Sequence, residues 1–213
     1  MDIYQLQMMT EKNRVRCEFI ADHPEFRSLD SIDGIAIDLR YASKNNFAGR
    51  NLYGNLNCRY LHTDAAKGLD AAVKWLAKEH PEYRLIVLDA LRPHRVQNML
   101  WEELESTSLR KYLADPARGS IHSFGMAIDV SLIDSQGRLL DMGTAYDDMN
   151  DLSHPALEDS YFAKGVLTEA QVNHRLILRL AMLGSGFRGI STEWWHFDFG
   201  NTDIIRQTYT RIE

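Results

Sequence analysis

Between residues 63 and 80 the apolar positions recur at helical spacing. Ala66, Leu69, Ala72, Val73, Leu76 and Ala77 form one stripe, which predicts an amphipathic helix from Thr63 to His80, capped by Thr63 or Asp64 and ended by Pro81. The same period runs through Val96, Met99, Leu100, Leu104, Leu109 and Leu113 and predicts a helix over Arg95 to Leu113. A third helix is expected from Thr168 to Leu183, with Thr168 as cap, Glu169 and Gln171 in the first turn and Gly184 as the stop. Met1 to Ala21 has a weaker helical period through Leu6, Met9, Val15 and Phe19. Other stretches change period. Ile35 to Tyr41 alternates and is β-branched-rich, Leu85 to Ala90 is a short continuous apolar run, and Met126 to Leu132 enters the turn Asp134-Ser135-Gln136-Gly137. With Trp194 to Phe199, these read as strands. Ser43 to Asn57 is rich in Asn and Gly and reads as a long loop, and Asp147 to Gly165 is polar and irregular. Helices and strands do not alternate regularly. The expected class is α+β, with helices packed on a central, mainly antiparallel sheet. Residues 1–32 read as an N-terminal extension and 33–213 as the working domain.

Composition changes this picture little. The chain has 213 residues, 45% hydrophobic and 25% charged, enough for a core without staples. A net charge of −6 argues against a nucleic-acid partner, which would need a basic face. No apolar run reaches signal-peptide or membrane-spanning length. The expectation is a cytoplasmic protein with no membrane partner, or a periplasmic one if a leader has been removed. Nothing in the pattern sets an oligomeric state. Cys17 and Cys58 have no metal-ribbon spacing and read as two free buried thiols, with a single disulfide between them as the alternative.

Two distant stretches carry chemistry. One is Ser120-Ile121-His122-Ser123-Phe124-Gly125-Met126-Ala127-Ile128-Asp129, and the other is Glu193-Trp194-Trp195-His196. If the first is a turn running into a strand, His122 and Asp129 can double back on each other, with His196 from a neighbouring strand. Two imidazoles and one carboxylate make a metal site with an open position. The same trio suits Fe(II), but Glu193, placed as a base, favours zinc, one ion per chain. A lone histidine on an apolar strand is ordinarily a packed core residue. The joint pattern lifts these out of that class.

Ser120-x-His122-x-x-Gly125-x-Ala127-x-Asp129 with Glu193-x-x-His196 resembles the signature of the LAS-type zinc peptidases, peptidase family M15. Asp38-Leu39-Arg40-Tyr41-Ala42-Ser43-x-x-Asn46-Phe47-x-Gly49, Asp89-Ala90-Leu91-Arg92-Pro93 and Met142-Gly143-Thr144-x-x-Asp147 resemble segments of its D-alanyl-D-alanine dipeptidases. The resemblance runs from about Asp33 to about Phe199. It implies His122, Asp129 and His196 as zinc ligands, Glu193 as base and Arg92 as stabiliser of the tetrahedral intermediate. It further implies that Asp147, Tyr41, Tyr53 and Ser120 grip the ammonium end of a small dipeptide, with Asp148 competing for the role of Asp147. Phe124, Met126 and the Ala90-Leu91 pair depart from the usual residues of these motifs and would reshape the pocket wall. The implied activity is hydrolysis of D-alanyl-D-alanine to D-alanine. The alternatives are a D,D- or L,D-carboxypeptidase or endolysin acting on peptidoglycan peptides, and a non-catalytic zinc-dependent peptide-binding module.

Overall fold

A computed structural model describes residues 14–213. Its strands are β1 (Arg14–Val15), β2 (Phe26–Ser28), β3 (Ile35–Ile37), β4 (Tyr60–His62), β5 (Arg84–Asp89), β6 (Ala127–Ile133), β7 (Phe187–Gly189), β8 (His196–Phe199) and β9 (Arg211–Ile212). Its helices are α1 (Thr63–Glu79), α2 (His94–Glu103), α3 (Glu158–Ala163), α4 (Glu169–Leu183) and α5 (Thr202–Thr208). The central sheet has the order β3-β5-β6-β8-β7. β3 runs parallel to β5, while the β5–β6, β6–β8 and β7–β8 pairings are antiparallel. The class is α+β as expected, but the sheet is mixed rather than purely antiparallel.

Alternation along the strands sorts the two faces. Leu85, Val87, Ile128, Val130, Leu132 and Phe197 belong to the main core, where α1 and α4 pack against the sheet and each other. Gly68 of α1 lets that packing close, because a Cβ there would lie 2.5 Å from the Phe199 ring. The opposite face carries Ile86, Leu88 and Ile133 as a small cluster with Ala36 and Tyr146. Asp129, Ser131 and His196 alternate onto this second face, which the helices leave free for a site.

Helix α1 ends where Pro81 requires, and α4 has the full capping box of Thr168 and Gln171. The expected second helix is shorter. It stops at Glu103, and the Thr107 hydroxyl accepts from the Leu109 amide to open a separate 3-10 turn, Ser108–Tyr112. The alternating run at Ile35 leaves the sheet after Ile37 and turns at Arg40–Ala42. The irregular stretch after Asp147 contains α3. The expected N-terminal helix lies largely outside the described residues. Its visible part is β1 and a 3-10 turn, Cys17–Asp22. Between residues 14 and 32 the chain contributes Cys17, Ile20, Phe26, Leu29 and Ile32 to the core. There β1 pairs with β9 and β2 with β4. Cys17 and Cys58 are free and buried. No helix among the described residues is long and apolar enough to cross a membrane.

Gly125 joins this scaffold to the His122 turn. It has φ +63, and a Cβ there would lie 2.7 Å from the His62 backbone nitrogen. That nitrogen donates to the Gly125 carbonyl at 2.8 Å. Gly125→Ala should therefore cost roughly 2–4 kcal/mol, from left-handed strain plus overpacking. Urea unfolding would read this as a lowered midpoint, and an unchanged midpoint would contradict it.

Candidate active site

His122 stands on a 3-10 turn, Ile121–Phe124, closed by Gly125. Its carbonyl accepts the Arg92 amide at 3.2 Å, tying this turn to the Arg92-Pro93 turn. Asp129 lies two residues into β6, directly opposite His196, the first residue of β8. Side chains opposite each other on antiparallel strands share a face, so strand register alone brings Asp129 and His196 together.

The three groups converge. His122 Nε2 is 3.2 Å from His196 Nδ1 and 3.4 Å from Asp129 Oδ1, and His196 Nδ1 is 3.0 Å from the same oxygen. A tetrahedral zinc with bonds of about 2.0–2.1 Å separates its ligand atoms by about 3.3 Å, so the triangle has the right size for that ion. The outer partners leave the inward nitrogens free for a cation. His122 Nδ1–H donates to the Ala90 carbonyl at 2.7 Å, and His196 Nε2–H donates to Asp198 Oδ1 at 3.1 Å. Asp129 Oδ2 accepts from the Tyr146 hydroxyl at 2.9 Å. Burial works to raise the Asp129 pKa, but the two imidazoles outweigh it and hold the carboxyl below the ordinary range. For His196, burial is outweighed by Asp198 and Asp129, and its pKa is raised. A divalent cation would take the place of the proton that these carboxylates otherwise hold there.

Arg92 is buried and fully braced. Its Nε and one terminal nitrogen donate to Asp89 Oδ2 at 2.9 and 2.7 Å, the other donates to Gln97 Oε1 at 3.1 Å, and the guanidinium lies 4.9 Å from the centre of the Tyr41 ring. Asp89 reaches this position through an irregularity in the β5–β6 register between Val87 and Asp89, which sets it opposite Asp129.

A cavity of about 150 Å³ is lined by Tyr41, Arg92, Ser120, His122, Asp129, Asp147, Glu193, Trp195 and His196, with Tyr112 and Met149. Burial raises the Glu193 carboxyl to about 7, with Asp129 adding to the shift while His196, Arg92 and His122 oppose it. Its proton-accepting form is therefore favoured as pH rises through that value. Asp147 has φ +62, the one positive φ outside glycine among the described residues. Its Oδ1 accepts from the Tyr41 hydroxyl at 3.1 Å, whereas Oδ2 is buried without a partner. Burial, then Asp129, push its pKa well up.

Of the residues singled out from sequence, eight line this cavity. Tyr53 does not. It is buried behind Arg92, and its hydroxyl donates to Asp89 Oδ1. The structure thus places the Tyr53 hydroxyl on the carboxylate that holds the Arg92 guanidinium, not on the cavity lining with Tyr41. Asp148 is outside the cavity lining, with its Oδ1 taken by the Asn150 amide. Phe124 and Met126 are buried core residues and do not line the cavity. Sequence reading missed Asp198, Tyr146, Asp89 and Gln97 as partners. Asp198 had a signal, because two residues beyond a ligand on a strand returns to the same face.

A His-Asp-His triangle on the free face of an α+β sheet, with a carboxyl and a guanidinium in the same cavity, has the parts of a metal-dependent hydrolase. The chain belongs to peptidase family M15: the family profile described as D-ala-D-ala dipeptidase matches residues 24–213. The chain is 38% identical to the D-alanyl-D-alanine dipeptidase of Escherichia coli K12 over 164 residues, 77% of this chain and 78% of the relative. It is 34% identical to the D-alanyl-D-alanine dipeptidase of Enterococcus faecium over 192 residues, covering 81% and 90% of the two chains. The Enterococcus faecalis dipeptidase of the same name is 29% identical over 187 residues, with 79% and 87% covered.

The outer partner of His196 gives a test. Asp198→Ala should weaken zinc binding by about 10–100-fold, read by competition with a chromophoric chelator. Undiminished affinity would show that Asp198 does not tune the imidazole.

Proposed function

We propose that this protein is a zinc-dependent dipeptidase that hydrolyses D-alanyl-D-alanine to free D-alanine. Family membership and the named relatives support the activity. The observation that carries the substrate reading is Asp147. Its buried, unpartnered carboxylate oxygen lies in the same small cavity as the His-Asp-His triangle. A buried acid without a partner is costly, and an ammonium group satisfies it. The cavity is smaller than the roughly 300–1,000 Å³ typical of drug-sized ligands. A dipeptide suits that volume better than a wall peptide, which would need the ammonium end open.

His122, Asp129 and His196 would hold the zinc. When bound, zinc acts as a Lewis acid and makes water acidic enough to attack at neutral pH. Glu193 accepts the proton of the attacking water on its carboxylate and returns it to the leaving amine as the peptide C–N bond breaks. Arg92, held by Asp89, Gln97 and Tyr41, presents positive charge to the oxygen that becomes anionic in the tetrahedral intermediate. Because the guanidinium is already in place, its stabilisation carries no reorganisation cost. Asp147, with the Tyr41 hydroxyl and Ser120, takes the substrate ammonium, and pairing with that cation favours the ionised carboxylate.

One assay tests both the activity and the ammonium grip. Zinc-loaded protein should release D-alanine from D-alanyl-D-alanine and leave its N-acetyl derivative intact. Efficient cleavage of the blocked peptide would favour a carboxypeptidase or endolysin. Glu193→Ala should retain zinc and lose about 10²–10⁴-fold in kcat. If that variant kept near-normal turnover, Glu193 would not be the base. No turnover in the zinc-loaded wild type would instead indicate a binding module.

A further inference from the structure

One step along β6 from the catalytic cavity, on the same sheet face, lies a second and larger cavity of about 480 Å³. That volume falls within the range of small-molecule sites. Ser131 follows Asp129 by two residues, so their side chains point to one side of the sheet. Tyr146 and Trp194 line the larger cavity, while their chain neighbours Asp147, Glu193 and Trp195 line the catalytic one. The two sites are therefore back to back, sharing two short segments as a partition.

The chemistry of the larger cavity is unbalanced. Arg40, on its wall, is only 9% exposed. Its Nε is buried and without a hydrogen-bond partner. Among the described residues the guanidinium makes a single ion pair, 3.2 Å to Asp38, whose side chain is 49% exposed to water. A guanidinium has five N–H donors in a fork that matches a carboxylate, and leaving them unused at this depth is costly. Ser131 is 2% exposed, and among the described residues its hydroxyl has no hydrogen bond. Leu88, Met142 and Trp194 supply apolar wall. Asp141 also lines the cavity, but its two oxygens are taken by the Gly143 amide and Gln171 at 2.8 Å each. Its charge disfavours a dianion beside a single arginine.

We propose that this cavity is a second binding site for a small monocarboxylate with an apolar side group. The carboxylate pairs with Arg40 and accepts from the Ser131 hydroxyl, and the apolar group rests on Leu88, Met142 and Trp194. The occupant also touches Tyr146, the residue that donates to Asp129 in the neighbouring site.

The test is a titration of the zinc-loaded protein with isobutyrate, followed by amide and indole NMR shifts. Isobutyrate has no ammonium for Asp147, and binding is read directly, so the outcome is independent of the dipeptidase reading. Saturable shifts are expected at Ser131, at residues 139–146 and at the Trp194 indole. Affinity should fall about tenfold in Arg40→Gln and about threefold in Ser131→Ala, the second variant serving if the first does not fold. Inorganic phosphate should bind this site more weakly than isobutyrate. Unchanged affinity in the folded variants, shifts confined to Ser120, Glu193 and Trp195, or preferential saturation by phosphate would each overturn the proposal.

Discussion

The pairing of Asp129 with His196 across β6 and β8 is the constraint on which the site depends. Strand side chains alternate with period two, so a slip of one residue would turn either group into the helix-packed core. The slip is blocked because Ile128, Val130 and Phe197 must occupy that core. Hydrophobic burial on one face thus sets the metal-site geometry on the other. His122 then needs only a short turn to complete the triangle, and Gly125 makes that turn sharp enough.

A buried cluster of this polarity is tolerable only if every outward-facing atom is satisfied. Asp198, the Ala90 carbonyl and Tyr146 serve the three proposed ligands. The chain Tyr53–Asp89–Arg92 serves the proposed oxyanion group in the same way. These braces come from four separate segments, so the pocket is rigid by construction. Asp147 Oδ2, on the cavity lining, has no such partner, and that points to a cationic ligand. Arg40 Nε is the corresponding case in the neighbouring cavity.

Legibility from sequence followed the strength of each local signal. Helices α1 and α4 were readable because their stripes run for four turns; the Thr168 capping box of α4 was legible too, whereas α1 is capped by the His62 side chain and not by the expected Thr63 or Asp64. Strand β5 was readable as a continuous apolar run, and β6 from Ile128, Val130 and Leu132 leading into a turn. Strands of two or three residues, such as β2, β4 and β9, are too short to show a period, and their pairing depends on partners more than thirty residues away. The His122, Asp129, Glu193 and His196 constellation stood out because its spacing is itself a motif, and the cavity does gather all four. Tyr53 was not separable from Tyr41 because it lies inside the Asn- and Gly-rich loop, where no period tells which way a side chain faces. Tyr41 and Tyr53 are packed edge to face, with only the former on the lining.

The central claim is that the His122, Asp129 and His196 triangle holds one catalytic zinc. Stepwise addition of zinc to chelator-stripped protein, with D-alanine release from D-alanyl-D-alanine measured at each step, tests it most directly. Activity should rise linearly and level off at one equivalent of zinc per chain. Full activity in the stripped protein, or stoichiometric zinc binding with no gain in turnover, would contradict the account.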